Sequence, residues 1–189
     1  MNDRVLVLDD VIPQAYADAV ENFIFKLNFP WWYQSDSAFG HNSTDAGFPS
    51  LNHSLVRHGE TVNPSFEFLL PMLYYISDHI NLNFDAVISA KSCLQLPLIM
   101  ASKDRSNNPH VDVEFDHTVI LYYVNDSDGE TIIYDKVYEK DMAFKKEQLS
   151  ILQRVTPKKG RFLVFNGKYL HNSTTPTCGP RCVLNFDVV

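Results

Sequence analysis

No stretch of the 189-residue sequence has enough consecutive apolar residues to cross a bilayer as a helix. The first residues also lack the basic-then-apolar order of a secretory leader, so the expectation is a cytoplasmic protein without a membrane partner. Cysteine is scarce. Cys93, Cys178 and Cys182 make an odd number, and the Cys178-x-x-x-Cys182 spacing has no second half to complete a zinc site. This argues against a disulfide framework and for reduced thiols. Positive charge is short as well: 16 Lys+Arg against 23 Asp+Glu give a formal net charge of −7. The basic clusters, Lys145-Lys146 and Lys158-Lys159-Gly160-Arg161, are brief. Phosphate backbones reward clustered cations, so no nucleic-acid partner is expected. Internal repeats and low-complexity segments are lacking too, which excludes a solenoid or a long linker.

What remains is an ordinary globular composition, 45% hydrophobic and 21% charged. The length suits one domain over residues 1–189, with a core large enough to be stable. Val5 to Leu8 predicts a short strand. From Pro13 to Leu27 the apolar residues recur every three or four positions, which predicts an amphipathic helix. Pro30 to Tyr33 is aromatic, and Trp31 and Trp32 read as core packing beside it. Residues 34–52 read as a long polar loop, and loops of that length are commonly lids or binding loops. His41, His53 and His58 have no partner at ligand spacing. A second helix is expected over Pro64 to Ile80, kinked or split at Pro71.

Beyond residue 85 the pattern turns to β. Strands are expected over Ala86 to Met100, Thr118 to Val124, Thr131 to Tyr134, Ile151 to Val155, Phe162 to Phe165 and Cys182 to Val189. A turn falls at Asp126 to Gly129, and Lys136 to Gln148 is open between a hairpin and a loop with a helical turn. Residues 1–85 thus read as helical support with a possible lid, and residues 86–189 as a β core. The fold class is α+β, mainly β: a barrel or jelly roll braced by N-terminal helices.

Chemistry concentrates at His110-Val111-Asp112. Two apart, both side chains would leave one face of a strand and converge on one ion. His171, after the strand-like run Arg161 to Phe165, is the best third ligand. Two histidines and a carboxylate are the facial set of non-haem Fe(II) sites, which leaves open coordination positions. Arg181, ten positions beyond His171 and next to the Gly179-Pro180 turn signal, suits a bidentate anchor for a carboxylate. Glu114 shares the face parity of His110 and Asp112 and is a candidate outer partner, whereas His117 has the wrong parity. Arg105, in the loop before the motif, reads as solvent-facing.

The ordered set is His110-Val111-Asp112, Leu121-Tyr122-Tyr123-Val124-Asn125, Gly129-Glu130-Thr131, Pro157-Lys158-Lys159-Gly160, Leu170-His171 and Gly179-Pro180-Arg181. It resembles the 2-oxoglutarate/Fe(II)-dependent dioxygenase superfamily, in its prolyl 4-hydroxylase-like branch. The resemblance implies a double-stranded β-helix, cupin-like core. It also implies iron on His110, Asp112 and His171, and 2-oxoglutarate held at its far carboxylate by Arg181. A tyrosine hydroxyl near the co-substrate would come from Tyr123, with Tyr122, on the opposite face, as fallback. The cofactors implied are Fe(II), 2-oxoglutarate and O2, with ascorbate as an optional reductant. One departure stands out: Leu94-Gln95-Leu96-Pro97 carries no tyrosine, where many hydroxylases of the branch have one.

The implied activity is hydroxylation of an unactivated C–H bond, with the branch pointing to a prolyl residue of a peptide or protein. The alternatives are a hydroxylase of a free amino acid or other small molecule, a cupin-like binding module without catalysis, and, disfavoured by the acidic balance, nucleic-acid demethylation.

Overall fold

The computed structural model describes residues 5–35, 48–98, 105–140, 142 and 144–189. Along the chain the strands are β1 (Leu6–Leu8), β2 (Trp32–Gln34), β3 (Ser50–Arg57), β4 (Glu60–Thr61), β5 (Val87–Gln95) and β6 (Thr118–Tyr123). They continue with β7 (Thr131–Val137), β8 (Ile151–Val155), β9 (Phe162–Asn166), β10 (Tyr169–Ser173) and β11 (Arg181–Val188). The helices are α1 (Gln14–Ile24), α2 (Phe66–Leu69) and α3 (Pro71–Ile80), with a 3-10 turn at Lys146–Gln148.

Two antiparallel sheets stack face to face. The larger runs β1-β9-β6-β11-β5-β3-β2, with β4 beside β3, and the smaller runs β10-β7-β8. The expected jelly-roll-like core is present. Its strands β6 and β9 read as near-continuous apolar runs because they are covered on both faces. On the outer face, Ile120, Tyr122, Phe162, Val164, Leu184 and Phe186 pack against the apolar stripes of α1 and α3. On the inner face, Val119, Leu121, Tyr123, Leu163, Phe165 and Val183 meet Ile133, Val155 and Tyr169 of the smaller sheet. At about 25 cal/mol per Å2 of apolar surface, these two layers supply most of the driving force for folding.

The split expected at Pro71 occurs, with proline opening α3 at its first position, where the missing N–H costs nothing. Four differences from the sequence reading have clear causes. β3 was hidden because its first half, Ser50-Leu51-Asn52-His53, is mostly polar and has no β-branched residue. The N-terminal half therefore gives strands as well as helices to the larger sheet. Trp31 packs on Phe29 at the edge of the core as expected, but Trp32 is 70% exposed on the edge strand β2, not core. β10 was also missed, since the polar Asn172-Ser173 pair resembles a loop. Of the expected 34–52 loop, Gln34 ends β2 and Ser50 opens β3, while residues 36–47, the lid expectation and His41 lie outside the described residues.

Gly167 and His117 lock one end of the sandwich. A Cβ on Gly167 would fall 1.9 Å from His117 Nε2, and the Gly167 amide donates to the His117 carbonyl at 2.9 Å. Gly167→Ala must displace a buried ring. It is expected to cost about 1–3 kcal/mol, read as a lower urea midpoint with an unchanged slope.

Candidate metal centre

His110 and His171 face each other through the backbone. Each amide donates to the other's carbonyl, at 3.0 Å and 2.9 Å, in an isolated antiparallel bridge between the His110 segment and β10. The rings therefore lie side by side, with centroids 4.8 Å apart. His110 and Asp112 do not sit on a regular strand, as the sequence had suggested. They still point the same way, because the intervening Val111 turns outward to pack on Ile132 and Leu170.

Each histidine is oriented from behind. Nδ1 of His110 lies 3.0 Å from the Asn108 carbonyl, and Nδ1 of His171 lies 3.0 Å from the Tyr169 carbonyl. A carbonyl only accepts, so each Nδ1 carries the proton and each Nε2 presents its lone pair. Burial, reinforced by the charge of His171, pushes the His110 pKa down to about 4, which keeps the ring neutral and able to ligate near neutral pH. Asp112 is gripped on both oxygens: Lys91 Nζ donates to Oδ1 at 2.9 Å and Asn185 Nδ2 to Oδ2 at 3.0 Å. Burial works against its ionisation, but Lys91 and then His171 and His110 hold it well below the usual carboxylate range. Oδ2 also lies 3.3 Å from His171 Nε2. The ligand atoms of His110, Asp112 and His171 all fall within 4.8 Å of one another and could hold a metal ion. Two imidazole nitrogens and an ionised carboxylate fit a divalent first-row metal.

Arg181 opens into the same pocket from β11. Its guanidinium is buried and preorganised: Nε donates to Gly129 O at 2.9 Å, one terminal nitrogen to Thr131 Oγ1 at 2.7 Å, and the other to Gln95 Oε1 at 3.3 Å. Gly129 permits the approach, since a Cβ there would lie 3.0 Å from Arg181 Cδ. Tyr123 donates to Thr131 Oγ1 at 2.7 Å with its ring beside the guanidinium, 5.9 Å from centroid to Cζ. Burial raises its phenol pKa. Tyr122 is excluded as the fallback: it points into the helix-facing core, its ring 5.0 Å from Phe162. Gln95 stands in the stretch that lacks the expected tyrosine. It ties Arg181 to Ser173, whose Oγ lies 3.1 Å from Gln95 Nε2.

Glu114 turns instead to Tyr138, which donates to it at 3.0 Å, and Arg105 stacks over Phe48 at 4.4 Å. Neither lines the metal pocket. Sequence reading missed Lys91, Gln95 and Asn185. Their signal was alternation: Ser89, Lys91, Cys93 and Gln95 on one strand, and Arg181, Asn185 and Asp187 on another, put polar groups on one face of buried strands.

No protein-family model and no curated protein matches the sequence. Solved structures do match the fold. One is an oxidoreductase of the 2OG-Fe(II) oxygenase family from Burkholderia pseudomallei, with a TM-score of 0.64 and 13% identity, covering 97% of this chain and 84% of that one. The fold is that of the 2OG-Fe(II) oxygenases. A prolyl hydroxylase from Trichoplax adhaerens, in complex with a hypoxia inducible factor oxygen degradation domain peptide fragment, matches with a TM-score of 0.65 and 11% identity over 99% of this chain and 84% of that one. SnoN, a non-heme alpha ketoglutarate dependent epimerase from nogalamycin biosynthesis, matches with a TM-score of 0.66 and 10% identity over 99% and 78%. In this 2OG-Fe(II) oxygenase fold the inward rows of β5, β6 and β11 converge on the pocket built by His110, Asp112, His171 and Arg181.

Asp187 lies further along the same inward row of β11. It is fully buried, and among the described residues neither carboxylate oxygen has a well-formed hydrogen bond; Ser89 gives it a weak polar contact, and His117 Nε2 comes no closer than 3.9 Å. Burial, then the charge of Asp112, pushes its pKa well above the ordinary aspartate value, with Lys91 partly opposing. The folded state holds this proton more tightly than the unfolded chain, so stability falls as pH rises above the usual aspartate range. Asp187→Asn is expected to raise Tm by a few degrees at about pH 8 and to change it little near pH 4. Thermal melts across that range check it, and an equal effect at both ends would contradict the assignment.

Proposed function

We propose that this chain is a 2-oxoglutarate- and Fe(II)-dependent dioxygenase that hydroxylates a prolyl residue of a peptide or protein. The observation that carries the reading is one pocket lined by His110, Asp112 and His171 together with a preorganised Arg181. His110, Asp112 and His171 are the metal ligands in this reading. Iron bound there with 2-oxoglutarate supplies oxidative decarboxylation to succinate and CO2, with insertion of one oxygen atom into an unactivated C–H bond. The chain's own part is positioning. Arg181 binds the far carboxylate of 2-oxoglutarate, Gln95 and Thr131 hold the guanidinium fork in place, and Tyr123 keeps Thr131 oriented. Lys91 and Asn185 fix the carboxylate plane of Asp112.

The word prolyl rests on the similarity to a prolyl hydroxylase seen with a peptide. The test is incubation with Fe(II), 2-oxoglutarate, ascorbate and a proline-centred peptide library, with succinate and peptide mass both measured. Gain of one oxygen on proline, matched by succinate, supports the reading. Succinate formation with no peptide modified, and with a small acid or amino acid oxidised instead, would favour the second reading, a small-molecule oxygenase. That reading is favoured by the likeness to an epimerase. Three free thiols, Cys93, Cys178 and Cys182, suit a reducing, cytoplasmic compartment.

A further inference from the structure

The site face of the larger sheet does not stop at the metal pocket. In antiparallel sheets, residues directly opposite each other share a face. Asn185 pairs with Lys91 and Lys91 with Ser54. Val183 pairs with Cys93, Cys93 with Asn52, and Asn52 with Trp32. Two rows therefore lead outward from the metal pocket across β5 and β3 to the edge strand β2. They end in a second cavity of about 440 Å3, whose lining includes Trp32, Asn52, Ser54, Arg57 and Lys91. Lys91 lines both cavities.

Arg57 reaches this face through a bulge. The register shifts between Ser54 and Val56, so that Leu55 and Val56 both enter the helix-side core and Arg57 turns to the site side. Its Nε donates to Ser54 Oγ at 3.1 Å. Glu60 is its cross-strand neighbour on β4, with no ion pair between them. Among the described residues the cavity lining carries Lys91 and Arg57 and no Asp or Glu, in a chain with a net charge of −7. Lys91 is already neutralised by Asp112, which leaves Arg57, among the described residues of this lining, as the cation without an ion-pair partner. Trp32, 70% exposed, offers an aromatic wall beside it.

We infer that this second cavity is the substrate site and that it selects a substrate bearing a carboxylate, bound by Arg57, with an apolar portion against Trp32. The inference rests on the dioxygenase reading for the direction of the substrate toward the metal. The carboxylate comes from an acidic side chain flanking the target residue of a peptide, or from a free acid. Planar guanidinium–carboxylate pairing gives Arg57 its selectivity.

The test uses the full chain loaded with Mn(II) and 2-oxoglutarate, which permits binding without turnover. Two fluorescein-labelled proline-centred peptides are titrated by anisotropy, one with glutamates flanking the proline and one with glutamines. N-acetylglutamate serves as the free-acid competitor. The glutamate peptide is expected to bind roughly fivefold to tenfold more tightly than its twin. Arg57→Gln, an exposed substitution, should erase that difference, and Trp32→Ala should weaken both peptides alike. Displacement of the glutamate peptide by N-acetylglutamate at comparable concentration assigns the free acid as the source; failure to displace assigns the peptide. Equal binding of the two peptides, no binding of either, or a preference that survives Arg57→Gln overturns the inference. Failure of the dioxygenase reading shows separately, as an Fe(II)·2-oxoglutarate complex of the same preparation that develops no charge-transfer absorption.

Discussion

A His171→Ala protein is expected to fold and to lose Fe(II) binding by at least about 100-fold, because even the outer partners of a metal ligand are commonly worth 10–100-fold. Turnover of 2-oxoglutarate should fall to background. The fold should survive because His171 is held in place by backbone. Its amide and carbonyl make the bridge to His110, and neither depends on the imidazole. Alanine removes a ring that packs edge-to-face on Phe165, at 5.1 Å between centroids, so a modest loss of stability is expected in both metal-free and metal-loaded protein. The discriminating readout is the metal-dependent rise in Tm. A ligand that binds the native state alone stabilises it by mass action, about 2.7 kcal/mol at a concentration 100 times Kd. Wild type should show that rise with Fe(II) or Mn(II), and the variant should not. A variant that keeps the rise would remove His171 from the site.

Arg181→Lys is expected to weaken 2-oxoglutarate binding by roughly 10- to 100-fold while leaving metal binding intact. A hydrogen bond to a charged group is worth about 1.5–3 kcal/mol, and lysine cannot reproduce the planar fork. The surroundings sharpen the effect. Gln95 Oε1, Thr131 Oγ1 and Gly129 O are placed for three separate nitrogens, and an ammonium at the end of a flexible stem cannot serve all three. Some stability is lost with them, so the experiment reads two quantities. Isothermal titration with 2-oxoglutarate in the presence of Mn(II) gives the co-substrate Kd, and the same titration with Mn(II) alone gives the metal Kd. A rise in the first with no change in the second places Arg181 on the co-substrate. Parallel weakening of both would make it a structural residue.

Much of the site was legible because its chemistry depends on residue types that are costly to bury without purpose. A histidine and an aspartate two apart, a late histidine and an arginine opening a buried strand are each ordinary alone. Their order along the chain made them a set. The fold was legible where strands are covered on both faces, as in Thr118-Val119-Ile120-Leu121-Tyr122-Tyr123, because such strands read as unbroken apolar runs. It was not legible where one face is the polar site wall. β3 mixes Ser50, Asn52 and Ser54 on that wall with Leu51 and Leu55 toward the helices, and a bulge then breaks the alternation. β10 was hidden for a related reason: Asn172 is buried yet bonded to Ser106 and Asn107, so a polar residue in the sequence is an interior residue in the fold. Lys91 illustrates the same limit. A lysine on a strand reads as solvent-facing until its partner, 21 residues away, is seen to be a proposed metal ligand.

The most direct measurement is anaerobic titration of the metal-free protein with Fe(II) and then 2-oxoglutarate, followed by visible absorption. A metal-to-ligand charge-transfer band should grow to one equivalent and appear only when protein, Fe(II) and 2-oxoglutarate are all present. A folded protein that binds Fe(II) but develops no band on addition of 2-oxoglutarate would contradict the dioxygenase reading and leave a cupin-like binding module in its place.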